Sequence, residues 1–132
     1  MARKVLVVDD EAHIRMLLDQ ILEELADDYE VDIFMAKDGE EGWQIIQKHR
    51  PDLILLDIMM PRMNGYELCR LLQSDPAIYE ATKIVLLTAK GQESDRRQGL
   101  ETGAVAYMTK PFDPEELLSL TKSLLGLNGD NQ

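Results

Sequence analysis

Leu53-Ile54-Leu55-Leu56-Asp57-Ile58-Met59-Met60-Pro61-Arg62-Met63-Asn64-Gly65 decides the reading of this chain. Four consecutive apolar residues, with no polar alternation, are what a strand buried on both faces requires. Strands of that kind belong to parallel sheets covered by helices. The run stops at an acid, Asp57. Proline, asparagine and glycine follow with turn chemistry, and Asn64 is placed to cap a helix that ends near Asp75-Pro76.

Working outward, Ile84-Val85-Leu86-Leu87 repeats the apolar run, and Lys4–Val8 and Val105–Met108 are further strand candidates. In Glu30–Ala36, by contrast, Val31, Ile33 and Met35 alternate with Glu30, Asp32 and Phe34, the pattern of a half-exposed edge strand. Helices fill the intervals. Ile14, Leu17, Leu18, Ile21 and Leu25 recur at helical spacing. Asp38 can cap a second helix running to His49 or Arg50, where Pro51 stops it. Asp113-Pro114-Glu115-Glu116 combines a cap, a proline at the first position and acids facing the helix dipole. Leu117, Leu120, Leu124 and Leu125 carry that helix to Gly126. Residues 92–102 make a poor fourth helix, with few apolar residues and glycines at 91, 99 and 103. The alternation predicts an α/β fold, a single doubly wound domain of five parallel strands with helices on both faces. It is expected to span residues 1–126, with 127–132 as a flexible tail or the stub of a linker.

Twenty-five acids against 14 bases leave a net charge of −11, which opposes the counterion release that nucleic-acid binding exploits; no direct nucleic-acid partner is expected. No run approaches the ~18 apolar residues of a membrane span, so no membrane role is expected and the location expected is cytoplasmic. The single cysteine, Cys69, excludes an internal disulfide and reads, beside Leu68 and Leu71, as an inert buried thiol. His13 and His49 fall in helical stretches as surface residues, and no His/Cys spacing suggests zinc.

In open α/β sheets, ligands bind outside the carboxyl ends of the strands. The first strand ends in Asp9-Asp10-Glu11, the third in Asp57, the fourth in Thr88 and the fifth in Thr109-Lys110-Pro111. Taken singly, each has a bland account: Asp9-Asp10 or Thr88 as helix caps, Asp57 as a turn residue, Lys110 as a solvated lysine. Their joint placement at successive strand ends is what coincidence explains badly. Carboxylates about 4 Å apart repel by about 4 kcal/mol per pair at an effective dielectric near 20, so the cluster needs a counter-charge. Mg²⁺ supplies one, taking carboxylate, carbonyl and water oxygens and then substrate phosphate. A carboxylate can also be a nucleophile that forms an aspartyl phosphate, with cations neutralising the transferring oxygens.

At these residues the chain resembles the receiver domain of two-component response regulators, of the chemotaxis-regulator type. The resemblance is carried by Val7-Val8-Asp9-Asp10-Glu11, Asp57-Ile58-Met59-Met60-Pro61-Arg62-Met63-Asn64-Gly65, Leu87-Thr88-Ala89 and Tyr107-Met108-Thr109-Lys110-Pro111-Phe112. It implies a flavodoxin-like sheet of order 2-1-3-4-5 and a phosphoryl group passing to Asp57 from a histidine kinase or histidine phosphotransfer protein. It further implies Mg²⁺ held by Asp10, Asp57 and the backbone carbonyl of Met59, with Asp9 acting through metal-bound water. Thr88 and Tyr107 would form a switch pair, Lys110 would contact the phosphoryl group, and Ala89 would keep the approach open. A cis peptide before Pro111 is part of the same resemblance, as is an output through a downstream target protein or a fused effector. Met59 and Lys90 occupy positions that vary in the family and bear on rate.

A phosphatase of the haloacid-dehalogenase type would also use an aspartyl phosphate, but it needs a second acid two residues after the nucleophile. Met59 stands there and cannot transfer a proton. A pseudo-receiver is disfavoured by the intact Asp10, Asp57, Thr88 and Lys110. Nucleotide binding is disfavoured because neither a Walker loop nor Gly-x-Gly-x-x-Gly follows the first strand. The expectation is therefore a signalling switch, not an enzyme, that catalyses only its own phosphorylation and dephosphorylation.

Overall fold

The computed structural model describes residues 2–60, 63–89 and 103–127. The apolar runs form β1 (Arg3–Val8), β2 (Val31–Ala36), β3 (Leu53–Asp57), β4 (Lys83–Ala89) and β5 (Ala106–Lys110). They pair in parallel as one sheet of order β2-β1-β3-β4-β5, so the alternating segment is indeed an edge strand and the continuously apolar ones lie inside. Among the described residues, the helices are α1 (Ala12–Asp28), α2 (Gly39–His49), α3 (Gly65–Gln73), α4 (Pro76–Ala81) and α5 (Pro114–Leu124).

Alternate strand residues feed two cores, one on each face. Val5, Val7, Leu53, Leu55, Val85 and Leu87 pack with Leu18, Leu22 and Leu25 of α1 and Leu117 of α5. Leu6, Val8, Ile54, Leu56, Ile84 and Leu86 pack with Ile46 of α2, Leu68, Cys69 and Leu72 of α3, and Ile78 of α4. Each fully buried leucine contributes about 1.5–3 kcal/mol relative to exposure, which fixes the register of the central strands. Caps set the helix starts. Asp38, Asn64 and Asp113 accept hydrogen bonds from the backbone amides of Glu41, Glu67 and Glu115 at 2.9, 3.0 and 3.0 Å. Arg50 takes a left-handed conformation (φ 52°) that closes α2, since Pro51 disfavours a helical residue before it.

Several expectations need correction. Asp75-Pro76 does not merely end α3; Asp75 accepts a hydrogen bond from the Ile78 amide at 3.4 Å and Pro76 opens α4. A proline stops one helix and starts another equally well. Leu17 does not join the buried stripe of α1. That stripe runs through Leu18, Ile21, Leu22 and Leu25, and Leu17, at its margin, is 39% exposed beside Met16 at 64%. His49 is not a plain surface residue, because its ring stacks on Phe34 with centroids 4.5 Å apart. Leu127 is buried in the core under α1 and α5, so the fold extends one residue past Gly126. The poor helix expected at 92–102 and the remainder of the tail expected at 127–132, residues 128–132, lie outside the described residues. No helix among the described residues is long and apolar enough to cross a membrane.

Candidate functional site

The strand register assembles the site. Val8 pairs with Leu56 and Asp57 with Leu87, so Asp9, one step past Val8, emerges beside Asp57 at the same end of the sheet. Thr88 pairs with Thr109 and Ala89 with Lys110, which brings the β5 end to the same rim. Asp9 is fully buried and Asp57 is 4% exposed. The Asp9 amide donates to Ala36 O at 3.1 Å, and its Oδ1 accepts from the Glu11 amide at 2.9 Å, an Asx-type turn. Asp57 Oδ1 accepts from the Met59 amide at 3.2 Å. Ligand atoms of Asp9, Asp10, Glu11 and Asp57 all lie within 4.8 Å of one another, Asp10 and Glu11 being exposed.

Gly65 permits the loop after Asp57 to turn back so closely. Its amide donates to Ile58 O at 3.0 Å. A Cβ there would stand 2.8 Å from the Asp57 carbonyl oxygen and 2.9 Å from Ile58 Cα.

Lys110 supplies the one ammonium contacting these carboxylates among the described residues. Its Nζ lies 2.8 Å from Asp9 Oδ2, 3.4 Å from Glu11 Oε1 and 3.5 Å from Asp57 Oδ1. The peptide between Lys110 and Pro111 is cis. Burial works against the charge on Lys110, but the short contact with Asp9 and the charges of Asp57, Asp9 and Glu11 outweigh it, holding the ammonium above its ordinary 10.5. Asp57 responds the other way. Burial first, then the neighbouring Asp9 charge, raise it to about 7 despite the opposing pull of Lys110; a hydrogen bond with Asp10 raises it further and the Met59 amide lowers it.

Four carboxyl groups thus face a single ammonium. Asp9 Oδ2 is buried, and apart from its ion pair with Lys110 it has no aligned hydrogen-bond partner among the described residues. Such an excess of hard oxygen donors fits a small divalent cation such as Mg²⁺.

The remaining predicted residues take these places. Thr88 is half-buried at the end of β4, one step past the partner of Asp57. Tyr107 is half-buried on β5, opposite Leu86, and packs against the core under α2, α3 and α4. Met59 is 61% exposed. Ala89 ends β4, while Lys90 lies outside the described residues. Two participants were not predicted. Glu11, visible only as a third consecutive acid, is a partner of Lys110. Arg15 Nη1 donates to the Asp9 carbonyl at 2.6 Å; its sequence signal was weak, an arginine one turn inside α1.

The sequence pattern of the response regulator receiver domain matches residues 5–122. The alkaline phosphatase synthesis transcriptional regulatory protein PhoP of Bacillus subtilis is 42% identical over 125 residues, 95% of this chain and 49% of that protein. The chain spans about half the length of the curated relatives it matches. Among solved structures, the chemotaxis protein CheY4 of Vibrio cholerae superposes with a TM-score of 0.82 at 34% identity, covering 95% of this chain and all of that one. The receiver domain of sensor histidine kinase PA1611 from Pseudomonas aeruginosa gives a TM-score of 0.82 at 25% identity, covering 96% and 99%. That structure has a magnesium ion coordinated in its active-site cleft. With the sheet order, the rim of carboxylates and these likenesses in agreement, the chain belongs to the response regulator receiver domain family, whose general function is phosphorylation on an aspartate.

Proposed function

We propose that Asp57 is the phosphoryl acceptor of this receiver, in a Mg²⁺-dependent reaction. One observation carries the reading: a nearly buried carboxylate ends the central strand with the Lys110 ammonium 3.5 Å away and three further carboxylates around it. An Asp57 oxygen attacks the phosphorus of a phosphohistidine on a histidine kinase or phosphotransfer protein. The new O–P bond forms as the P–N bond breaks, and its electron pair returns to the imidazole. Lys110 meets the charge on the transferred phosphoryl oxygens. Asp10, Asp57 and the Met59 carbonyl would hold Mg²⁺ directly and Asp9 through water. Once bound there, the ion supplies positive charge to the carboxylate cluster and to the phosphoryl oxygens.

Phosphorylation adds charge and acceptor oxygens within reach of the end of β4, where Thr88 donates its hydroxyl. Its inward movement gives Tyr107, half-buried on the neighbouring strand, room to rotate. The altered face is read by a downstream target or a fused effector, consistent with relatives named as transcriptional regulators. We place the reaction in the cytoplasm and assign the chain no catalysis beyond its own phosphorylation and dephosphorylation.

The test is incubation with Mg²⁺ and a small acyl phosphate donor, followed by intact mass. A gain of one phosphoryl group is expected in the parent and none in Asp57→Asn, since an amide is a poor nucleophile. Full labelling of that variant at another residue overturns the assignment.

A further inference from the structure

We infer that Arg15 is a positioning residue for the acidic cluster: its hydrogen bond to the Asp9 carbonyl fixes the peptide from which Asp10 leaves the backbone. The inference rests on the acceptor reading above and extends it to a residue outside the carboxylate set. Helices α2 to α5 each begin with a side chain that accepts a hydrogen bond from the first turn. Helix α1 does not. Glu11 at its start is extended and makes no side-chain cap, and the first turn carries no acid. The turn from β1 into α1 must nevertheless hold Asp9, Asp10 and Glu11 with their carboxyl groups close together, against mutual repulsion.

Four attachments hold Asp9. Its amide is tied to β2 through Ala36 O, its Oδ1 to the Glu11 amide, its Oδ2 to the Lys110 ammonium at 2.8 Å, and its carbonyl to Arg15 Nη1 at 2.6 Å. Only the last acts on the Asp9–Asp10 peptide itself. That peptide is planar, so pinning its oxygen also fixes the direction of the Asp10 nitrogen and hence the path of the Asp10 side chain. Asp10 is exposed, and no hydrogen bond among those described holds its backbone directly. A charged donor on a carbonyl makes one of the stronger hydrogen bonds. Arg15, half-buried on α1, presents it from the helix that the same turn must start.

The test compares the parent with Arg15→Met, which keeps length without a donor, and Arg15→Lys, which keeps a donor. Mg²⁺ affinity is measured by calorimetry, and the Asp9 carbonyl ¹³C resonance is followed in EDTA. Arg15→Met is expected to weaken Mg²⁺ binding about three- to tenfold, the scale of one hydrogen bond, and to move the Asp9 resonance. Arg15→Lys should recover most of both. Unchanged affinity in Arg15→Met overturns the role. So does an equal loss in Arg15→Lys, because the effect would then belong to lost packing. If Arg15→Met does not fold, Arg15→Gln, a polar side chain too short to reach, replaces it with the same expectations. A parent that fails to bind Mg²⁺ overturns the acceptor reading; a parent that binds it alongside an unaffected Met variant overturns only the role of Arg15.

Discussion

The Lys110 ammonium is anchored on Asp9, 2.8 Å from Oδ2, and reaches Asp57 only at 3.5 Å. The lysine is thus held most closely by a buried neighbour while also facing Asp57, the proposed acceptor. Its charge is the larger of two influences, the other being the Met59 amide, that keep Asp57 from rising above about 7.

Lys110→Met should therefore raise Asp57 further. At pH 7 less of the carboxylate would be ionised, and the cation proposed to meet the phosphoryl oxygens would be gone. Phosphorylation by a small donor should slow at least tenfold, the scale of losing one electrostatic stabiliser. Titration of the Asp57 carboxyl by ¹³C NMR in EDTA checks the direction; a midpoint at or below that of the parent contradicts the role given to Lys110.

The same displacement makes stability depend on pH. A carboxyl that titrates near 7 when folded and near 3.8 when unfolded takes up a proton on folding anywhere between those values. Folding stability from this group therefore falls as pH rises from about 4 to about 7, then levels off. Asp57→Asn carries no such cost. In EDTA it should melt close to the parent at pH 4 and several degrees higher at pH 8, because about 1 kcal/mol moves a domain of this size by about 4 °C. A melting difference that stays constant across that range would show that burial is not what displaces Asp57.

The strand ends were legible because a continuously apolar run has few places to stop, and Asp9, Asp57, Thr88 and Lys110 stand where such runs stop. The edge position of β2 followed from alternation for the same reason. Helix α4 was not legible: it has six residues with one buried side chain, Ile78, and opens on a proline that reads equally as a stop. Leu17 shows the limit of periodicity, which ranks residues around a helix but does not say how wide the covered stripe is. Arg15 acts by reaching back to a backbone oxygen six residues earlier, and no pattern of side-chain types encodes an acceptor that every residue possesses. The high titration point of Asp57 comes first from burial, a property of the packed sheet rather than of the Asp57 neighbourhood in sequence.

Gly65→Ala tests how tightly the acceptor loop is folded. The added methyl would sit 2.8 Å from the Asp57 carbonyl oxygen and 2.9 Å from Ile58 Cα, backbone atoms that cannot rotate away. A loss of about 1–3 kcal/mol, the usual cost of overpacking, is expected in urea, with an unchanged m-value. Slower phosphorylation should accompany it, since relief of the clash moves Asp57 itself. An alanine variant as stable and as rapidly phosphorylated as the parent would mean that the loop has slack.

Met59 sets the last expectation, the lifetime of the phosphoryl group. Its amide is bound to Asp57 Oδ1 at 3.2 Å, while its side chain is 61% exposed. The backbone is therefore fixed beside the acceptor, and the side chain can be exchanged without disturbing the core. Aspartyl phosphate is lost when water attacks in line, and orienting that water is much of what a protein can contribute to such a transfer. A thioether is a weak acceptor and no base, so self-dephosphorylation should be slow. Met59→Asn places an amide where it can hold the attacking water and should shorten the lifetime several-fold. Mg²⁺ affinity should change little, because only the backbone carbonyl at this position would meet the ion. Phosphate release after donor removal, compared between the two proteins, decides the point: an asparagine variant that loses phosphate no faster than the parent would show that Met59 does not limit hydrolysis.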